Sequence, residues 1–102
     1  MTIDELTAGR EAYAAQDWAA AHDHLKRADQ TTLDAEDLRA LSTTAYLVGD
    51  HHAAIEALQQ AHSVNLAAGD QRAAARDAQG LAMFFAERGE PAVGAGWVAR
   101  AN

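Results

Sequence analysis

Five histidines are the residues of this chain whose chemistry best suits a metal ion. His22 and His24 lie two residues apart, so their side chains would point about 200° apart on a helix, whereas two helical ligands of one ion are spaced by three or four residues. His51 and His52 are consecutive, and no cysteine is present to add a thiolate. We therefore expect no metal site and no cofactor, with the histidines in turns, on the surface or, for His62, half-buried.

Signals for catalysis are equally sparse. The sequence contains no cysteine nucleophile, no Gly-x-Ser-x-Gly elbow and no glycine-rich phosphate loop, and Ser42 and Ser63 fall inside predicted helices. The carboxylates of Asp34, Glu36 and Asp37 lie where a helix is expected to begin, and negative charge there favours the helix dipole. We therefore expect a protein that is not an enzyme.

The composition favours helices throughout. A chain of 102 residues is the size of one small domain. Its hydrophobic residues make up 49%, and 27 of them are alanine, the best helix former and a poor strand former. With one proline and seven glycines to interrupt the elements, the prediction is a single all-α domain.

Charge and cysteine content narrow the class of partner and the compartment. A net charge of −7 opposes phosphate backbones, so we expect no direct binding of nucleic acid. The chain lacks an apolar run long enough for a signal peptide or a membrane span, and it has no cysteine for a disulfide framework. The expectation is a cytoplasmic protein with no membrane contact.

An internal repeat organises the sequence. A shift of 33 residues places Gln16-Asp17-Trp18 on Gly49-Asp50-His51, and a further shift of 40 reaches Gly89-Glu90-Pro91. Large apolar residues at Leu25, Leu58 and Val98 share one register and are expected in the core. Small residues recur where two helices would cross closely. These small residues are Gly9, Ala21, Ala28, Ser42, Ala54, Ala61, Ala82, Gly94 and Ala101.

Capping residues set the expected helix ends. Asp17, Asp50 and Asp70 are predicted N-caps, Thr2 has capping-box spacing to Glu5, and Gly69 suits a left-handed turn. Pro91 suits a first helical position, and Thr31-Thr32 break the chain. The second shift exceeds the first by seven residues. These residues are expected to lengthen the helices at 51–68 and 70–88 by about one turn each. The predicted helices cover 3–15, 18–30, 34–47, 51–68, 70–88 and 91–101.

This phasing and the turn signature resemble the tetratricopeptide (TPR) repeat over nearly the whole chain. The resemblance implies three antiparallel helix pairs in a right-handed superhelix, with units of about 2–33, 34–69 and 70–102. The stretches 67–76 and 88–101 also resemble the N-terminal helical repeats of actinobacterial LuxR-type transcriptional regulators. The third turn lacks an aromatic residue, and the proline that closes a typical TPR unit is absent after Ala28 and Ala61.

The TPR resemblance implies a concave face lined by the first helix of each unit. Three arginines and two tyrosines fall there, and arginine forks bind carboxylates. An acidic or C-terminal peptide is one expected occupant, although the asparagines of the carboxylate-clamp subset are missing and Thr43 stands at one such position. Internal pairing of the arginines with Glu11, Asp37 or Asp77 is the alternative. The expected peptide-binding residues are Leu6, Arg10, Tyr13, Arg39, Thr43, Tyr46, Arg76, Gln79 and Met83.

The C-terminal end gives a second candidate surface. Repeat arrays usually end in a polar capping helix, and none follows here. Val93, Trp97, Val98 and Ala101 are therefore expected to form an apolar end face, either for self-association or, in a longer parent protein, for continued repeats. The alternative packs Trp97 inward against Phe84 or Phe85.

Two functions remain open from the sequence. The first is a scaffold that binds a protein or peptide, as the docking or sensing part of a transcriptional regulator. The second is a small-ligand regulatory domain with a pocket near Tyr46, Met83 and Phe84.

Overall fold

A computed structural model describes residues 4–87 and 96–100, and every regular element in these residues is helical. A single 3-10 turn, Gln30–Thr32, separates the second and third helices, at the predicted break, and residues 96–100 are again helical. The five longer helices are α1 (Glu5–Ala14), α2 (Trp18–Arg27), α3 (Ala35–Leu47), α4 (His51–Ala67) and α5 (Gln71–Glu87). The all-α prediction is confirmed for the described residues.

An aspartate caps the start of every one of these five helices. In each case a carboxylate oxygen accepts the backbone N–H three residues later, at distances from 2.7 to 3.3 Å. The predicted caps at three positions are confirmed, but the N-cap of α1 is Asp4, and the predicted Thr2 cap lies outside the described residues. The capping residues are Asp4, Asp17, Asp34, Asp50 and Asp70.

The turns that follow α1, α3 and α4 have the same hydrogen bonds. In each, the residue after the C-cap has a positive φ: Gln16 at 62°, Gly49 at 89° and Gly69 at 76°. The next residue, an aspartate, donates its N–H to a carbonyl five residues back, at 2.8 to 2.9 Å. This is the Schellman motif, and here its last residue is also the N-cap of the following helix. The left-handed conformation predicted for Gly69 is confirmed.

Small residues allow the helices to approach one another closely. Ala21, Ala54 and Ala61 have no exposed surface, and Ser42 donates its hydroxyl to the carbonyl oxygen of Ala54 at 2.7 Å. A Cβ on Gly9 would lie 2.8 Å from Cγ of the buried Leu25. The small-residue positions predicted within residues 4–87 are therefore buried, whereas Gly94 and Ala101 lie outside the described residues.

Successive helices pack in antiparallel pairs, whereas α3 and α5 run parallel. Ser42 contacts Ala54, and Tyr46 stacks on His51. Residue numbers therefore increase along α3 in the direction in which they decrease along α4, so the two helices are antiparallel. Between α3 and α5, by contrast, Glu36 meets Arg76 and Tyr46 meets Phe84. The core between the helices consists of Leu25, Ala28, Leu33, Leu38, Leu41, Ile55, Ala57, Leu58, Ala61 and Leu81.

The sequence expectation on helix length is confirmed, whereas the expectation that Val98 is buried is wrong. Helices α4 and α5 contain 17 residues each against 13 in α3, so the predicted lengthening by about one turn is confirmed. Val98, predicted in the core with Leu25 and Leu58, is instead 46% exposed, because its neighbour Trp97 is the residue that packs on the core. No described helix is both long and apolar enough to span a membrane.

Candidate functional site

Two parallel stripes of side chains form the surface between α3 and α5, which we call the α3–α5 surface. On each helix these residues follow at intervals of three or four, so they share one face. At one end of the surface lies the pair of Glu36 with Arg76, and at the other end Tyr46 lies beside Glu87. The surface consists of Glu36, Arg39, Thr43 and Tyr46 from α3 and Arg76, Gln79, Met83 and Glu87 from α5.

Asp77 is the buried centre of a polar cluster beneath this surface. Its side chain has no exposed area, and Arg39 of α3 donates to one carboxylate oxygen. The side-chain amide of Asn65, itself buried, donates to the other oxygen at 2.7 Å. The carboxylate therefore joins α3, α4 and α5 through charge-assisted hydrogen bonds.

Asp37 forms the corresponding link between α1 and α3. The guanidinium of Arg10 donates to both carboxylate oxygens, from Nε at 2.8 Å and from Nη2 at 2.6 Å. Asp37 also accepts the backbone N–H of Asp34, which completes a capping box. The bonds from Arg10 hold the pKa of Asp37 below its usual value, and Asp37 raises the pKa of Arg10.

The third arginine pair is exposed. Arg76 Nη2 lies 3.1 Å from Glu36 Oε1, with side-chain exposures of 53% and 78%. A cleft of about 490 Å³ opens beside this pair, between the first turns of α3 and α5. Its lining mixes both signs of charge and consists of Asp34, Ala35, Glu36, Asn65, Asp70, Arg72, Ala73 and Arg76.

Each arginine expected to bind a peptide carboxylate thus pairs with a carboxylate of this chain. Asp37 and Asp77 are two of the partners that the internal-pairing alternative anticipated, whereas Arg76 selects Glu36. An acidic peptide would therefore meet guanidinium groups whose charge a carboxylate of the chain already balances.

The remaining predicted peptide-binding residues separate into two groups. Thr43, Tyr46, Gln79 and Met83 are exposed on the α3–α5 surface, with Met83 at 66%. Leu6 packs against the core, and Tyr13 meets the ring of Trp18 edge-on at 5.4 Å beside the first turn. The predicted residues of α3 and α5 therefore lie together on one surface, whereas Leu6 and Tyr13 of α1 lie elsewhere.

Aromatic rings gather at the other end of the α3–α5 surface. Tyr46 stacks on His51 at 5.0 Å between ring centroids and on Phe84 at 5.4 Å. The Tyr46 hydroxyl donates to Glu87 Oε2 at 3.4 Å. These four residues and Ile55 line a cavity of about 200 Å³. Met83, expected at such a pocket, points to solvent and is not among the lining residues.

Sequence reasoning missed three residues of this region. Asn65 could have been found as a polar residue among the apolar positions of α4, whereas no local pattern points to Glu36 as the partner of Arg76. Glu87 lies one turn after Met83 on the same stripe, which is the signal that would have placed it on the surface.

The histidines occupy separate positions. His24 Nδ1 hydrogen-bonds Glu5 Oε2 at 2.6 Å, and His52 lies 3.4 Å from Glu56. His62 is buried rather than half-buried, and His22 is buried with an Nδ1 that has no hydrogen-bond partner among the described residues. Within residues 4–87 and 96–100, no three His, Cys, Asp or Glu side chains are grouped to hold a metal ion.

The predicted self-association residues are described in part. Trp97 is half-buried against the core, its ring edge meets His62 at 5.1 Å, and the Arg100 guanidinium lies 4.4 Å from its ring centroid. Val98 beside it is 46% exposed. Val93 and Ala101 lie outside the described residues.

A further cleft lies on the outer side of α4 and measures about 580 Å³. Its lining mixes polar and apolar side chains and consists of Gln30, Thr31, Leu33, Leu38, Glu56, Gln59, Gln60, Ser63 and Val64.

Comparison of the chain with protein-family models, with curated proteins and with solved structures gave no match. The TPR and LuxR-type resemblances therefore rest on the sequence pattern alone and stay interpretations.

Proposed function

We propose that this chain is a TPR-like module, built of antiparallel helix pairs in a right-handed superhelix, that binds a polypeptide segment and catalyses no reaction. The observation that carries the proposal is the parallel placement of α3 and α5 with exposed residues along both stripes. Glu36 and Tyr46 lie about 15 Å apart along α3, which is enough for several residues of a bound segment. In a transcriptional regulator, such a surface would be the docking part.

The chemistry of the surface supports a polypeptide as its ligand. Thr43 and Gln79 offer hydrogen-bonding side chains near its middle, and Met83 offers an exposed, adaptable apolar side chain. The buried Asp77 cluster fixes α3 against α5 from below, so the surface is held in place before a ligand arrives.

The small-ligand alternative has less support. The cavity beside Tyr46 measures about 200 Å³, whereas small-molecule sites usually span about 300–1,000 Å³. The clefts of about 490 and 580 Å³ are open to solvent, and their linings mix charged, polar and apolar side chains.

The proposal is tested by selecting binders from a displayed library of short random peptides and titrating the selected peptides into isotope-labelled protein. We expect amide shifts to concentrate on Thr43, Gln79 and Met83. Met83→Ser should weaken binding by at least about fivefold, because it removes an exposed apolar side chain from the surface without adding a charge.

Val64→Ser is the matched control, since Val64 is 42% exposed on α4 and lines the outer cleft. It should leave the affinity unchanged. Shifts confined to Gln59, Ser63 and Val64, with weaker binding only in the Val64 variant, would move the site to the outer cleft and contradict the proposal. Failure to select any peptide would contradict polypeptide binding itself.

A further inference from the structure

The two ends of the α3–α5 surface differ in how their charges are matched. At the Glu36 end, Arg39 and Arg76 each meet a carboxylate of the chain. At the Tyr46 end, Glu87 is exposed and has no cationic partner within residues 4–87 and 96–100. Its contact there is the Tyr46 hydroxyl at 3.4 Å, which leaves most of the capacity of the carboxylate to accept hydrogen bonds.

The cavity at this end combines that carboxylate with an aromatic wall. The rings of Tyr46, His51 and Phe84 and the side chain of Ile55 supply its apolar lining. Its volume of about 200 Å³ suits one amino-acid side chain better than a whole ligand molecule. Long basic side chains fit this chemistry, because their methylene stems pack on apolar surface while the charged head pairs with a carboxylate.

Electrostatics on a larger scale favour the same ligand. The chain carries a net charge of −7, and α3 has no basic residue in its last turn to offset the negative end of its dipole. The net charge favours a cationic ligand in general, and the negative end of the α3 dipole lies beside Tyr46. Leu47 and Met83 are 51% and 66% exposed on the adjoining turns of α3 and α5, so an apolar side chain next to the cation would find contacts there.

We propose that the cavity lined by Tyr46, His51, Ile55, Phe84 and Glu87 receives a lysine or arginine side chain of the bound polypeptide. This inference rests on the proposed function and adds the chemistry of the partner: a basic segment with a neighbouring apolar residue. It departs from the acidic peptide expected from the sequence, because Arg10, Arg39 and Arg76 are matched within the chain.

The test uses the full chain, the same displayed library and isothermal titration of the selected peptides. Selected peptides should be enriched in lysine or arginine next to an apolar residue. Replacing that basic residue by glutamine in the peptide should weaken binding about tenfold. Glu87→Gln in the protein should produce a similar loss and reduce the dependence of Kd on sodium chloride, which a packing role alone would not change.

Glu56→Gln is the matched control, since it removes an exposed carboxylate on α4 that lies outside the α3–α5 surface. It should leave the affinity for the basic peptides within about twofold. Both variants are also measured in a chain that carries Arg88→Gln. Arg88 follows Glu87 in the sequence, and its removal ensures that the ion pair under test is the one between Glu87 and the peptide.

Three outcomes separate the two proposals. Basic peptides that lose affinity with Glu87→Gln support the inference. Peptides that bind the α3–α5 surface without enrichment in basic residues, or equally well with Glu87→Gln, overturn the inference and leave the proposed function standing. A library that yields no binder overturns both.

Discussion

Asp77 and Asp37 are buried carboxylates, and each is matched by an arginine from another helix. A buried charge is costly when it is unpaired, so each partner depends on the other. The exposed pair of Arg76 with Glu36 has no comparable dependence, because water solvates both groups. At the residue scale, therefore, ion pairs of similar appearance differ in their effect on stability.

Replacing Asp77 by alanine should lower the free energy of unfolding by about 3 kcal/mol, because Arg39 and Asn65 both lose a buried partner. Glu36→Ala should cost less than about 1 kcal/mol. Urea unfolding of the two variants and the parent chain measures the difference. Equal losses would show that burial of Asp77 does not govern the stability of the cluster.

The pKa of Asp37 predicts a stability that depends on acidity. Because its folded pKa is lowered, the carboxylate stabilises the fold above the unfolded value of about 3.9, and this contribution is lost as pH falls through the folded pKa. The difference in unfolding free energy between the parent chain and Asp37→Asn should therefore shrink as pH falls below about 4.

Unfolding titrations at several pH values provide the measurement. Arg10→Gln should remove the same pH-dependent difference, because Arg10 is the main cause of the lowered pKa of Asp37. A difference that stays constant down to acidic pH would contradict the prediction.

At the scale of the element, the three Schellman turns differ at the residue that adopts a positive φ. Gly49 and Gly69 adopt positive φ at little cost, whereas Gln16 must hold its side chain at a φ of 62°. Gln16→Gly should raise the free energy of unfolding by about 0.5–1 kcal/mol, and Gly49→Ala should lower it by about 1 kcal/mol. Thermal unfolding of both variants tests the pair, and destabilisation by Gln16→Gly would contradict the expectation.

Two glycines inside helices offer a second matched pair. A Cβ on Gly9 would crowd Cγ of Leu25 at 2.8 Å and its backbone nitrogen at 3.2 Å, and Leu25 has no exposed surface. A Cβ on Gly80 would meet the terminal Cδ2 of Leu58 at 2.9 Å, and this end of a side chain can rotate.

Gly9→Ala should therefore lower the free energy of unfolding by about 1–2 kcal/mol, since overpacking outweighs the gain in helix propensity. Gly80→Ala should stay within about 1 kcal/mol of the parent. Urea unfolding compares them, and a neutral Gly9→Ala variant would mean that α1 and α2 can move apart easily.

At the scale of the whole molecule, the sequence predicted the pattern of helices better than the contacts between alternate helices. The 33-residue register located Ala21, Ala54 and Ser42 at buried crossings because small side chains are a local requirement of close packing. The choice of Glu36 by Arg76 depends on how α3 lies beside α5, which no local pattern specifies. The positive φ of Gln16 was missed because glutamine carries no turn signal.

Self-association through the C-terminal end stays a prediction at this scale. Trp97 packs on the core, so Trp97→Asp would disturb the fold, whereas Val98→Asp changes an exposed residue. Sedimentation equilibrium should show a concentration-dependent dimer that Val98→Asp weakens and Leu66→Asp, on exposed α4 surface, does not. A monomer at every concentration would contradict the prediction.

Packing between helices that follow one another along the chain has a consequence for the speed of folding. Each of α1 to α5 makes its most extensive contacts with its neighbours in sequence, so few large loops must close before contacts form. Such chains fold within about milliseconds or faster, and opening can start at a terminus and spread helix by helix. The Arg39–Asp77 cluster links three helices, and it is where we expect amide protons to exchange most slowly with solvent.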